Sequence, residues 1–173
     1  CTGNDPVSPS DATDLSLNMV KAEMRIPLIG VIGARECDET ALKNAYDAGR
    51  LIALNGYGMV CGGMGGVMEA AAKGCQEEGG LTVGILPRDT DQYANDYLSV
   101  AIPTGMGIMR NLLIVRTARG LIAVNGKYGT LSEIAYALQL EKPIVGIGTW
   151  DVSDELAQFR DAASAIEHLM GLL

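Results

Sequence analysis

From Ile26 onward, short apolar runs alternate with segments whose apolar residues recur at helical spacing, and few folds accept that rhythm. Strands are expected over 27–33, 58–62, 81–86, 98–102, 120–124 and 143–148, the run Leu121 to Val124 fully buried, and helices near 38–55, 66–78, 105–118, 130–141 and 153–172. Successive βα units of this kind build an α/β domain, a Rossmann-like parallel sheet with helices on both faces. Right-handed crossovers then gather every loop that follows a strand on one edge of the sheet. The pattern leaves strand order open.

The 173 residues fit one domain with a core of its own. Aromatic residues make up only 5% and glycines number 22, so that core must be built from Val, Ile, Leu, Ala and Met, which suit close packing of helix on sheet. Residues 1–23 stand apart, polar and broken by Pro6 and Pro9, and read as a flexible N-terminal arm or an expression remnant. The folded domain spans 24–173, where Met24 would serve as a start. A lipid-anchored Cys1 on a polar tether is the lesser reading.

A formal net charge of −8, with no run of Lys or Arg, argues against nucleic acid or an anionic membrane as partner. A small phosphorylated ligand stays compatible, because local N–H groups and one or two arginines outweigh the global charge. Cys1, Cys37, Cys61 and Cys75 form no CxxC pair, and His168 is the only histidine, so neither a metal nor a resident cofactor is expected. Cys61 and Cys75 fall in segments that read as buried, which suits a reducing cytoplasm. No apolar stretch is long enough for a membrane span, and no signal peptide is visible.

Three strand ends open into glycine-rich turns. Leu121-Ile122-Ala123-Val124 runs into Asn125-Gly126-Lys127-Tyr128-Gly129-Thr130, Met59-Val60-Cys61 into Gly62-Gly63-Met64-Gly65-Gly66, and Leu28 to Gly33 into Ala34-Arg35-Glu36. Free N–H groups at the start of a helix attract anions through hydrogen bonds and the helix dipole. The candidate phosphate- and nucleotide-binding residues are therefore Gly33, Arg35, Gly62, Gly63, Gly65, Gly66, Gly126, Lys127, Gly129 and Thr130. A single loop is explained as well by tight helix-on-strand packing, whereas three on one edge favour a pocket. The first turn lacks GxGxxG and the second strand ends in glycines rather than an acid, which disfavours hydride transfer with an extended dinucleotide.

Taken together, these segments resemble the Lonely Guy (LOG) and molybdenum-cofactor-carrier superfamily of Rossmann-like nucleotide-binding proteins over roughly residues 26–150. LOG enzymes carry P-G-G-x-G-T-x-x-E, here Asn125 to Glu133, an M-x-x-R-K helix segment, here Met109-Arg110-Asn111, and G-G-x-x-G-x-M-x-A, here Gly62 to Ala70. Asn125 stands for the first Pro, Lys127 for the second Gly and Asn111 for the Lys, and the helix methionine is out of register. The wording is closer to the carrier branch. Relatives have also been labelled lysine decarboxylases, which does not fit, since that chemistry wants a pyridoxal-phosphate lysine commonly preceded by His and His168 is followed by Leu169.

The resemblance implies two catalytic candidates, Arg110 and Glu133, for hydrolysis of the N-glycosidic bond of a nucleoside 5'-monophosphate to free base and ribose 5-phosphate. Glu133 would stabilise an oxocarbenium-like sugar and orient water, and Arg110 would position the ligand or balance charge. Each has a plainer reading. Thr130-Leu131-Ser132-Glu133 has the form of a capping box, and a buried Arg110 could pair internally with Glu133 itself. The alternative function is a carrier that binds a nucleotide or a phosphorylated molybdopterin-type cofactor without turning it over. Arg116, Arg119 and His168 read as solvated. Apolar residues from Met106 to Val115 exceed what one helix face can bury, and the family association points the same way, to a homodimer or higher homo-oligomer.

Overall fold

In the first strand Ile29 and Val31 point to one side and Ile32 to the other, and all three are fully buried, so the sheet must be covered on both faces. The structure, a computed structural model, describes residues 25–173. The expected arm over 1–23 and the start at Met24 lie outside the described residues. Seven strands form one sheet: β1 (Leu28–Gly33), β2 (Gly58–Cys61), β3 (Thr82–Leu86), β4 (Val100–Pro103), β5 (Gly120–Val124), β6 (Ile144–Ile147) and β7 (Ala157–Phe159). Every pairing is parallel, in the order β4-β3-β2-β1-β5-β6-β7.

Helices α1 (Glu39–Leu54), α2 (Val67–Glu77) and α5 (Ala162–Leu172) cover the face that carries Ile29, Val31, Met59 and Ile122. Helices α3 (Asn111–Thr117) and α4 (Tyr128–Gln139) cover the other, against Ile32, Val60, Leu121 and Ala123. Small residues set the spacing. Gly49 of α1 lies against the Ala71 carbonyl of α2 and Gly74 of α2 against the Tyr46 carbonyl, so the two backbones approach where a Cβ would collide.

The chain runs outward from β1 to β4, then returns to lay β5 on the opposite side of β1. The loops after β1 and β5 therefore diverge to opposite faces and leave a crevice at the carboxyl ends of the strands, where ligands bind in sheets of this kind.

Two expected helices are corrected. The segment 105–118 is a 3-10 turn over Gly107–Arg110 followed by α3, because Gly105 and Gly107 both hold positive φ (64° and 57°) and interrupt the helical path. Its front is exposed, Ile108 to 66% and Met109 to 71%. The segment 153–172 holds the edge strand β7 before α5, which starts only where the Asp161 side chain accepts a hydrogen bond from Ser164 N–H at 2.9 Å. Among the described residues no helix is long and apolar enough to cross a membrane.

Candidate functional site

The loops after β1, β2 and β5 and the 3-10 turn before α3 enclose a cavity of about 380 Å³ at that crevice. Its polar wall is made by Gly33, Arg35, Gly62, Arg110, Asn111, Gly129, Thr130 and Glu133, and its apolar wall by Ile32, Met64, Met68, Pro87 and Ile108. A second cavity of about 520 Å³ adjoins it through Gly33, Arg35 and Gly129 and adds Gly65 and Lys127. Small-molecule sites commonly span about 300–1,000 Å³.

Glycine at position 62 is what admits the arginine. A Cβ there would stand 2.6 Å from Arg110 Nη2 and 2.8 Å from Met68 Sδ. Arg110 is 9% exposed, donates from Nη2 to the Gly62 carbonyl at 3.4 Å and from Nη1 to Asn111 Oδ1, and its Nε has no partner among the described residues. Burial lowers its pKa, and the charges of Glu133 and Cys61 oppose that shift. The guanidinium remains a cation at neutral pH.

Glu133 sits in the second turn of α4, 6% exposed. Burial pushes its pKa up to about 8, and the positive charge of Arg110 holds it back from rising further. The internal salt bridge does not form, since no ion pair within 4 Å joins the two among the described residues. The capping box is absent as well. Asn125 (φ 53°) and Gly126 (φ 125°) turn the chain early, so α4 starts at Tyr128 with Lys127 as its cap and Thr130 already inside the first turn. Freed from capping, Glu133 points to the cavity.

Lys127 makes no side-chain cap bond, and the first backbone N–H that returns to the helix is Leu131, which donates to the Lys127 carbonyl at 3.0 Å. The N–H groups of Tyr128, Gly129 and Thr130 precede it, and a Cβ at Gly129 would meet nothing within 4 Å. Lys127 itself is exposed, its Nζ 3.6 Å from Glu36 Oε2.

Of the sequence candidates, Gly33, Arg35, Gly62, Gly65, Arg110, Lys127, Gly129, Thr130 and Glu133 line one or both cavities. Gly63, Gly66 and Gly126 line neither. Gly63 packs on Gly84 and Leu98, Gly66 passes beneath the Ala34 and Arg35 carbonyls, and Gly126 turns above Thr130. The sequence reading missed Asn111, which is 3% exposed. Its Oδ1 accepts from Arg110 while its Nδ2 donates to the Gly129 carbonyl at 3.3 Å and to Ser132 Oγ at 3.0 Å, tying the arginine to the start of α4. Its only sequence signal was its place beside Arg110 in an apolar run, which does not set it apart from a simple replacement within the motif. His168 is exposed against Phe159, and Arg116 and Arg119 are exposed.

Residues 26–170 match the SLOG cluster4 family. The chain belongs to that family. An uncharacterized protein of Archaeoglobus fulgidus is 45% identical over 145 residues, 84% of this chain and 95% of that protein. Among solved structures, the molybdenum cofactor binding protein of the phototrophic bacterium Rippkaea orientalis aligns with a TM-score of 0.81 at 36% identity, over 86% of this chain and 98% of that one. The Moco carrier protein of Chlamydomonas reinhardtii aligns with a TM-score of 0.76 at 33% identity, over 86% and 100%. Family and neighbours bear out the resemblance to the LOG and molybdenum-cofactor-carrier superfamily.

Proposed function

We propose that this chain is a binding protein that holds a small phosphorylated ring compound, a nucleotide or a phosphorylated molybdopterin-type cofactor, as cargo. The observation that carries the reading is the unpartnered Nε of Arg110, a cation buried beside the open first turn of α4. A buried donor without an acceptor is costly, and a phosphate or ring oxygen supplies one. Near neutral pH a carboxyl whose pKa is about 8 is mostly protonated, so Glu133 can offer a hydrogen bond to a heteroaromatic ring while contributing little charge to an oxocarbenium ion. The similar molybdenum cofactor binding protein of Rippkaea orientalis and Moco carrier protein of Chlamydomonas reinhardtii support the same reading. The thiols of Cys61 and Cys75, raised by burial to about 12 and about 11, are inert and fit a cytoplasmic setting.

Mass spectrometry of the protein as purified is expected to find a phosphorylated ring compound at up to one equivalent per chain, and AMP incubated with the protein is expected to stay intact. Release of adenine from AMP at enzymatic rates would replace this reading by the phosphoribohydrolase one. That second reading draws on a specific observation, the convergence of Arg110 and Glu133 on one cavity beside the glycine loop. It requires Glu133 to be ionised when substrate is bound.

The active unit of this reading is a homodimer whose contact includes Met106, Ile108 and Met109. All three are exposed beside the cavity mouth, and Ile108 also lines the cavity. Multi-angle light scattering at micromolar concentration is expected to give twice the chain mass. Ile108→Glu is expected to give the monomer.

A further inference from the structure

A separate cavity of about 640 Å³ opens at the opposite, amino-terminal edge of the sheet, where the chain enters β1, β3 and β5. Its walls include Arg25, Arg116, Arg119 and Lys142 and, among the described residues, no carboxylate, so four of the 13 Lys and Arg residues of a chain with formal net charge −8 converge there. Among the described residues none of the four makes an ion pair within 4 Å. Ile26, Leu28 and Leu81 give it apolar lining as well.

Helix termini explain part of this. Lys142 Nζ donates to the carbonyls of Ala118 at 2.6 Å and Arg116 at 3.4 Å, and with Arg116 it complements the carboxyl end of α3. Arg25 and Arg119 lie just before β1 and β5, outside any helix. Four like charges around one concavity repel one another, and a multivalent anion relieves that repulsion. Arginine forks match phosphate oxygens, and the apolar lining accommodates the organic part of a phosphate ester.

The geometry points to a second anion site, a pocket for a multiply charged phosphate group carried by a small organic molecule or a lipid headgroup, independent of the crevice at the other edge. The test uses the full chain titrated with sodium tripolyphosphate at low ionic strength and, in parallel, cosedimented with vesicles containing phosphatidylglycerol or only phosphatidylcholine. Wild type is expected to bind with two classes of site, of which Arg116→Gln/Arg119→Gln weakens one by about tenfold or more and leaves the other. Because both side chains are exposed and Arg116 contributes only a screened charge at the end of α3, the melting temperature is expected to fall by no more than a few degrees. Capture by phosphatidylglycerol vesicles that the double variant loses assigns the phosphate to a lipid headgroup, and tripolyphosphate binding without vesicle capture assigns it to a soluble ligand. The proposal is overturned if the double variant binds both probes as wild type does, or if wild type binds neither probe.

Discussion

Arg110→Met is expected to weaken binding of a nucleoside monophosphate by about a hundredfold or more, as measured by isothermal titration with AMP. The estimate follows from two charge-assisted hydrogen bonds at about 1.5–3 kcal/mol each, with tenfold in affinity for every 1.4 kcal/mol or so. Methionine keeps an unbranched apolar stem against Gly62 and Met68, so the packing that the arginine provides is mostly retained. Asn111 still reaches Gly129 and Ser132 without the guanidinium. Glu133 loses the one charge that holds its pKa down, so it becomes more firmly neutral and leaves no buried anion stranded. The fold is therefore expected to survive at neutral pH, which separates a binding loss from an unfolding loss. Lys127→Ala is the contrasting case. Its side chain is 76% exposed and already 3.6 Å from Glu36, so solvent screening limits the expected loss to about threefold. Wild-type affinity in Arg110→Met would remove the arginine from the site and with it the carrying observation of the proposed function.

Six of the seven strands are legible in the sequence because each is a continuous apolar run stopped by a glycine or proline turn, as in Leu121 to Val124 before Asn125-Gly126. The seventh is not. Ala157-Gln158-Phe159 is three residues long and pairs only with β6, so it has neither the length nor the two-sided burial that gives a strand its pattern. The break before α3 was carried by Gly105 and Gly107, but a positive φ is a property of the folded backbone and those glycines sit in an otherwise helical run. Strand order, and hence the crevice between the loops of β1 and β5, depends on long-range pairing that no local pattern encodes. Arg110 and Glu133 came from the resemblance to the LOG and molybdenum-cofactor-carrier superfamily; by itself the sequence offers a cation in an apolar segment, which needs a partner, and an acid that a capping box already explains. Asn111 could not be separated from a simple replacement within a motif. The capping box misled because Thr130 and Glu133 have the right types and spacing, while the helix start was displaced by the left-handed Asn125 upstream.

Glu133→Gln is expected to make the protein more stable than wild type in alkaline buffer and no different in acid. The carboxyl titrates at about 8 in the fold against an ordinary 4.5, so between those values the native state holds a proton that the unfolded chain has released. Native-state stability must then fall as pH rises through that window, since unfolding is favoured wherever the unfolded chain binds fewer protons. Glutamine copies the neutral acid and carries no such penalty. Below pH 4.5 the two proteins should unfold at the same urea concentration, and by pH 9 the variant should be ahead by a few kcal/mol, since each pKa unit corresponds to about 1.4 kcal/mol. Parallel stability curves across the whole range would show that Glu133 is an ordinary surface-like carboxylate and would remove the neutral-acid premise. The same variant decides between cargo holding and hydrolysis. A binding protein that uses Glu133 as a neutral hydrogen-bonding group should keep its AMP affinity within about threefold, with no adenine released by either form. A hydrolase that needs the charge should lose about a hundredfold or more in base release at unchanged affinity, because only the transition state carries the positive sugar that the carboxylate would stabilise.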